Sequence, residues 1–119
     1  MTSDAISLIQ NGHVVYVNWQ NDDPNEPNKY KPRPVIILDK FSETYCKAVG
    51  ITDIENIGDI VKAKGIRVNA DSTEGRSMQL RKDSFVNFRD SKTIPTSSFV
   101  SKWRKCPNAL FEEVSKACL

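Results

Sequence analysis

A mainly β fold closed by one C-terminal helix, a small and strongly bent sheet or SH3-like barrel, is what this sequence predicts, on three observations. Short segments rich in β-branched and aromatic residues recur along the chain. No strand–helix–strand alternation and no internal repeat interrupts them. Only the closing segment from Pro107 carries a helical period. With 119 residues, 39% apolar and 27% charged, the chain fits one domain over 1–119 that buries most of its unfolded surface.

Residues 3–10 read as a short amphipathic turn, with Ser3 or Asp4 as N-cap and Ile6, Leu8 and Ile9 seeking a core. "GHVVYVNW" from Gly12 to Trp19 is a first strand, with His13, Val15 and Val17 on one face and Val14, Tyr16 and Asn18 on the other. Turn formers, charges and prolines fill Gln20 to Arg33, a connection too long for a tight hairpin. "PVIILDK" gives a second strand and "YCKAVGIT" a third, with "FSET" closing a hairpin between them. Residues 53–64 read as a surface excursion, "GIRVNA" as a strand and "DSTEG" as a turn. "RSMQLRKDSFVNF" supplies one or two further strands, because Met78 and Leu80 alternate with polar residues, and "TIPTSSF" a short one ending at Pro95. Leu110, Phe111, Val114, Ala117 and Cys118 recur at intervals of three and four, so the chain ends as a helix with Pro107 in its first turn.

The formal charge of +2 does not announce a nucleic-acid binder, although Lys29, Lys31 and Arg33 cluster, as do Arg76, Arg81 and Lys82. The N-terminus lacks a basic region ahead of a long apolar run, and no stretch of about 18 apolar residues occurs, so a cytoplasmic location is expected. Cys46, Cys106 and Cys118 form no C-x-x-C pair, and His13 is the one histidine. Buried reduced thiols are therefore expected rather than a zinc site or a Cys/His nucleophile.

"KYKPRPVIIL" from Lys29 to Leu38 sets one arginine between two prolines, directly ahead of four aliphatic residues. Proline fixes its own φ and pushes the preceding residue towards extended conformations, so Pro32 and Pro34 make a stiff mount for the Arg33 guanidinium. Taken alone, Arg33 is equally a surface cation at a strand start, Thr52 a strand end, and Asp83 a turn former bonding its own backbone.

In order and approximate spacing, "GHVVYVNW", a polar loop, "KPRPVIIL", "VGITD", "LRKDSFVNF", "KTIP" and the closing helix resemble the MazF/PemK family of toxin ribonucleases, from about Gly12 to Leu119. The resemblance implies a dimeric SH3-like barrel of the CcdB/PemK type that cleaves single-stranded RNA, with no metal or other cofactor, while an antitoxin protein holds it inactive. It carries the arginine of the family's R-P motif onto Arg33 and the Ser/Thr ending the third strand onto Thr52. "LRKD" offers Arg81 and Asp83 at the spacing of the R-x-D pair that Kid/PemK toxins use as acid and base. The loop histidine of Kid-type members is missing, since His13 lies in the first strand.

RNA carries its own nucleophile, the 2′-hydroxyl, so such a site needs charge and proton handling but no protein nucleophile. Arg33 would hold the phosphate, and Thr52 would hydrogen-bond a phosphate oxygen or the 2′-hydroxyl, because its own pKa is too high for a base. Asp83 is the better base candidate, and Arg81 would stabilise charge or, only with a lowered pKa, protonate the leaving oxygen. Lys29, Tyr30, Lys31 and Trp19 are candidate RNA contacts, with Tyr30 between two lysines best placed to stack a base. A non-catalytic toxin like CcdB, or an RNA- or protein-binding module on the same barrel, is the alternative.

Overall fold

The computed structural model describes residues 2–20, 30–54, 64–101 and 104–118; the side chains of Trp19, Gln20, Tyr30 and Lys31 lie outside that description. Along the chain run α1 (Ser3–Ser7), β1 (His13–Gln20), β2 (Tyr30–Lys40), β3 (Tyr45–Asp53), β4 (Gly65–Val68), α2 (Thr73–Ser77), β5 (Ser84–Pro95), β6 (Arg104–Lys105) and α3 (Asn108–Ala117). The strands form one antiparallel half-barrel of six in the order β4-β5-β3-β2-β1-β6. The expected β fold with a terminal helix is the observed one.

Alternation along β1 sends its side chains into two cores, one on each face of the sheet. Val15 and Val17 join Val35, Ile37, Cys46, Ala48, Ile94 and Phe99, with Ile9 at the end of the α1 segment. Val14 joins Ile36, Val49, Ile51, Val86 and Met78, and α3 covers this second core with Leu110, Val114 and Cys118. Burial on both faces explains why "PVIIL" is a continuous aliphatic run and not an alternating one.

Several boundaries differ from the sequence reading, each for a local reason. The N-cap of α1 is Thr2, whose Oγ1 accepts from the Ala5 N–H at 3.2 Å. β1 runs to Gln20 and β2 begins at Tyr30, so Gln20 and residues 30–33 of the expected connection are strand and not loop; residues 21–29 lie outside the description. The 53–64 excursion is described only at 53, 54 and 64. "DSTEG" enters a helical turn, because the Ser72 hydroxyl caps the Gly75 N–H at 3.0 Å. Residues 78–83 are not strand: Met78 ends α2 as its C-cap and is buried in the core below it. "SFVNF" and "KTIP" are parts of one strand, β5. Pro107 stands at the N-cap of α3 rather than inside its first turn, and Arg104–Lys105 add a two-residue strand, β6, that no sequence pattern marks.

Two glycines are dictated by position. Gly12 turns into β1 at φ 88, in the left-handed region that favours glycine. Gly75 is buried in α2, where an added Cβ would meet the Asn69 carbonyl oxygen and lie 2.8 Å from that of Ala70. Both obstacles are backbone. Gly75→Ala is therefore expected to destabilise by about 1–3 kcal/mol, read as a lowered Tm; an unchanged Tm would contradict this packing.

The three cysteines are free and buried, as expected. Burial pushes the Cys46 thiol up from 9.0 to about 11, against a smaller opposing pull from Lys40, and the Cys106 thiol up to about 12. Each is protonated in the folded chain at pH values where an unfolded thiol ionises. Their stability contribution is thus complete below the ordinary value of 9.0 and lost as pH rises through 9 towards the raised values. Denaturant midpoints should fall progressively above pH 9, and replacing Cys46 and Cys106 by Ala should flatten that decline.

Candidate functional site

The two prolines flanking Arg33 decide where the middle of the sheet opens. β2 pairs with β1 along its first half, including Asn18↔Pro32, Val17↔Arg33 and Tyr16↔Pro34. Alternate residues of an antiparallel strand direct their N–H groups to opposite sides, and a proline aimed at β1 would break that ladder. The imide nitrogens of Pro32 and Pro34 therefore face the β3 side, where they offer no donor. Correspondingly, the β2–β3 ladder runs from Lys40↔Cys46 to Val35↔Gly50 and extends no further. Beyond it β3 continues against β5 alone, with Thr52↔Phe85 and Asp53↔Ser84.

The sheet thus splits between β2 and β3, with Arg33 on one lip and Thr52 on the other. Each stands two residues past the last pair, Val35↔Gly50, so continuing that register sets them opposite each other. Alternation puts both on the face of Val35, Ile37 and Ala48. Arg33 is half-buried, as is Thr52, so each combines a fixed stem with a reachable polar end. A guanidinium fork and a hydroxyl at opposed register positions on one face of the sheet are the two kinds of donor that a phosphate oxygen can accept from.

Arg81 and Asp83 are located differently. Arg81 lines a cleft of about 530 Å³ with Tyr16, Pro32, Gln79, Ser101 and Arg104. Tyr16 and Pro32 alternate with Val17 and Arg33, so this cleft opens on the opposite face of the sheet. Gln79, at φ 54, is the only non-glycine residue with positive φ among the described residues, and it sits in the turn that delivers Arg81. Asp83 accepts from the Ala70 N–H at 2.9 Å through Oδ1 and from the Arg67 guanidinium at 3.4 Å through Oδ2. The four candidates therefore divide into the Arg33–Thr52 pair and two residues outside it. Lys29, and the side chains of Trp19, Tyr30 and Lys31, fall outside the described residues.

One feature beside the pair is absent from the residues singled out in the sequence. Between the pairs Ile51↔Val86 and Val49↔Ser91, β3 advances two residues while β5 advances five. The resulting bulge sets Asn87, Phe88, Arg89 and Asp90 opposite Gly50, two residues from Thr52, and bulges of this kind re-aim side chains. The signal was present as the polar run "RDSK" interrupting a strand pattern.

His13 is held in place by its own backbone neighbourhood: its Nδ1 accepts from the Gln10 N–H at 3.0 Å. Burial, with the charge of Lys105, lowers its pKa. Among the described residues no group of three or more His, Cys, Asp or Glu is arranged to hold a metal ion, and no helix is long and apolar enough to cross a membrane.

The half-barrel is similar to a solved structure, the Mycobacterium tuberculosis toxin MazF-mt6, with a TM-score of 0.56 and 20% identity over 87% of this chain and 90% of that one. At that identity the likeness shows the fold. No match was found among curated proteins. The family model of the PemK-like, MazF-like toxin of type II toxin-antitoxin system matches residues 10–118, nearly the whole described fold. The chain accordingly belongs to the PemK-like, MazF-like toxins of type II toxin-antitoxin systems.

Proposed function

We propose that this toxin is an endoribonuclease that cuts single-stranded RNA without a metal, and that a cognate antitoxin neutralises it. The split between β2 and β3, with Arg33 and Thr52 on its two lips, carries this reading. In the reaction the 2′-oxygen forms a bond to the adjacent phosphorus and the bond to the 5′-oxygen breaks, leaving a 2′,3′-cyclic phosphate and a 5′-hydroxyl. The 2′-hydroxyl gives up its proton and the departing 5′-oxygen gains one, so the step balances with no water or cofactor consumed.

Arg33 holds the non-bridging oxygens as negative charge builds on them, and its proline mount lessens the reorganisation needed in the transition state. Thr52 donates to a phosphate oxygen or orients the 2′-hydroxyl. Arg81, on the opposite face, contributes through more distant charge, so Arg81→Ala is expected to slow cleavage far less than Arg33→Ala. Equal losses in single-turnover rates would contradict that ranking. RNA contacts from Lys29, Tyr30, Lys31 and Trp19 complete the proposal, together with a homodimer whose two-fold axis lets one RNA cross both copies.

The experiment is incubation of the purified chain with long RNA in excess EDTA, followed by mapping of the new ends. Cleavage leaving 5′-hydroxyls is expected. RNA that stays intact across salt and pH, from a chain that nevertheless arrests growth, would favour a non-catalytic toxin.

A further inference from the structure

The segment that leads into β5 is fastened at Asp83 from two directions. The Asp83 backbone carbonyl accepts from the Ile54 N–H at 3.1 Å, just beyond the end of β3. Its carboxylate reaches the other way: Oδ1 accepts from the Ala70 N–H at 2.9 Å in the turn after β4, and Oδ2 from Arg67 of β4 at 3.4 Å. Arg67 is itself steadied by its Nε donating to Asn69 Oδ1 at 2.8 Å. Of these contacts the bond to Ala70 dominates, since the Arg67 pair is long and both side chains are about half exposed, at 58% and 44%.

The direction of the carboxylate matters because β5 lies between β4 and β3 in the sheet, with β2 beyond β3. Asp83 therefore aims its carboxylate at β4, on the side of β5 remote from Arg33. Its hydrogen bond to the Thr52 lip is made by its backbone, whose carbonyl holds Ile54, two residues beyond Thr52. The adjacent Lys82 ammonium, 3.9 Å from the Asp53 carboxylate, ties the same two segments together again.

We propose that Asp83 is a positioning residue and not the base: it clamps the ends of β3 and β4 to the start of β5 and so fixes the lip that carries Thr52. This rests on the ribonuclease reading, and the test separates the two. Asparagine keeps an oxygen acceptor for the Ala70 N–H but has no carboxylate to take a proton, whereas alanine removes the clamp.

Single-turnover RNA cleavage across pH, and amide hydrogen exchange at Ala70 and Ile54, are measured for wild type, Asp83→Asn and Asp83→Ala. Asp83→Asn is expected to stay within about threefold of wild type with the same pH profile and protected amides, an isosteric rescue that a base does not allow. Asp83→Ala is expected to accelerate exchange at both amides and slow cleavage roughly tenfold to a hundredfold, the scale of a small misplacement of a reacting group. Loss of cleavage in Asp83→Asn together with an altered pH profile would overturn the proposal, as would unchanged exchange in Asp83→Ala. Should Asp83→Ala fail to fold, the pH profile of Asp83→Asn decides alone. A wild-type chain that leaves RNA intact removes the ribonuclease reading and any catalytic role for Asp83 with it, and the exchange rates still report whether the clamp exists.

Discussion

Arg33→Ala is expected to lower single-turnover RNA cleavage about a hundredfold to a thousandfold, equivalent to about 2.7–4 kcal/mol of transition-state stabilisation, while the chain stays folded. Arg33 is half-buried, pairs with Val17 inside the β1–β2 ladder, and belongs to neither of the two buried apolar cores. The loss therefore belongs to the chemistry and not to stability. Arg33→Lys is expected to recover little, because an ammonium is a point charge and cannot present two parallel donors to a phosphate. Circular dichroism and thermal unfolding alongside the rates check the distinction. A variant that cuts RNA as fast as wild type would contradict the role assigned to this residue.

Ile36→Ala is expected to do the opposite, lowering stability by about 2–5 kcal/mol, a drop in Tm on the order of 10 °C or more. Ile36 is 0% exposed and stands between Val14 of β1 and Val49 of β3, in the core that α3 covers with Leu110 and Val114. Three carbons removed from a close-packed centre leave a void that neighbouring strands, pinned by ladders on both sides, cannot close. Because total stabilities of single domains are about 5–15 kcal/mol, the change takes a large share of what holds the chain together. Chemical denaturation at constant temperature measures it directly, and a shift below about 1 kcal/mol would show that the core adjusts more freely than this packing allows.

The parts of the fold legible in the sequence are those fixed by short-range chemistry. β-branched runs gave β1, β2 and β3, the three- and four-residue spacing gave α3, and the proline pair drew attention to Arg33. What escaped was set at long range. Met78 and Leu80 alternate with polar residues like a strand, yet α2 ends at Met78 and the chain turns through Gln79 at positive φ before β5 begins. β5 reads as two pieces because its bulge breaks the alternation between Val86 and Ser91, and only pairing with β3 shows it to be one strand. β6 is two residues long and exists because β1 offers it an edge, which no local pattern announces. The same contrast governs the site. Arg33 and Thr52 could be singled out, but their opposition follows from where the β2–β3 ladder stops, and the separation of Arg81 and Asp83 follows from which faces and neighbours the turns give them.

The claim on which the mechanism depends is that Arg33 and Thr52 act on one phosphate from the two lips of the split, and a double-mutant cycle tests it most directly. Single-turnover cleavage is measured for wild type, Arg33→Ala, Thr52→Val and the double variant, with valine chosen to keep the shape and remove only the hydroxyl. Groups that hold the same reacting centre are strongly non-additive. The double variant is predicted to lose far less than the product of the two single losses. Losses that multiply would mean that the two residues work independently, and would contradict the shared site.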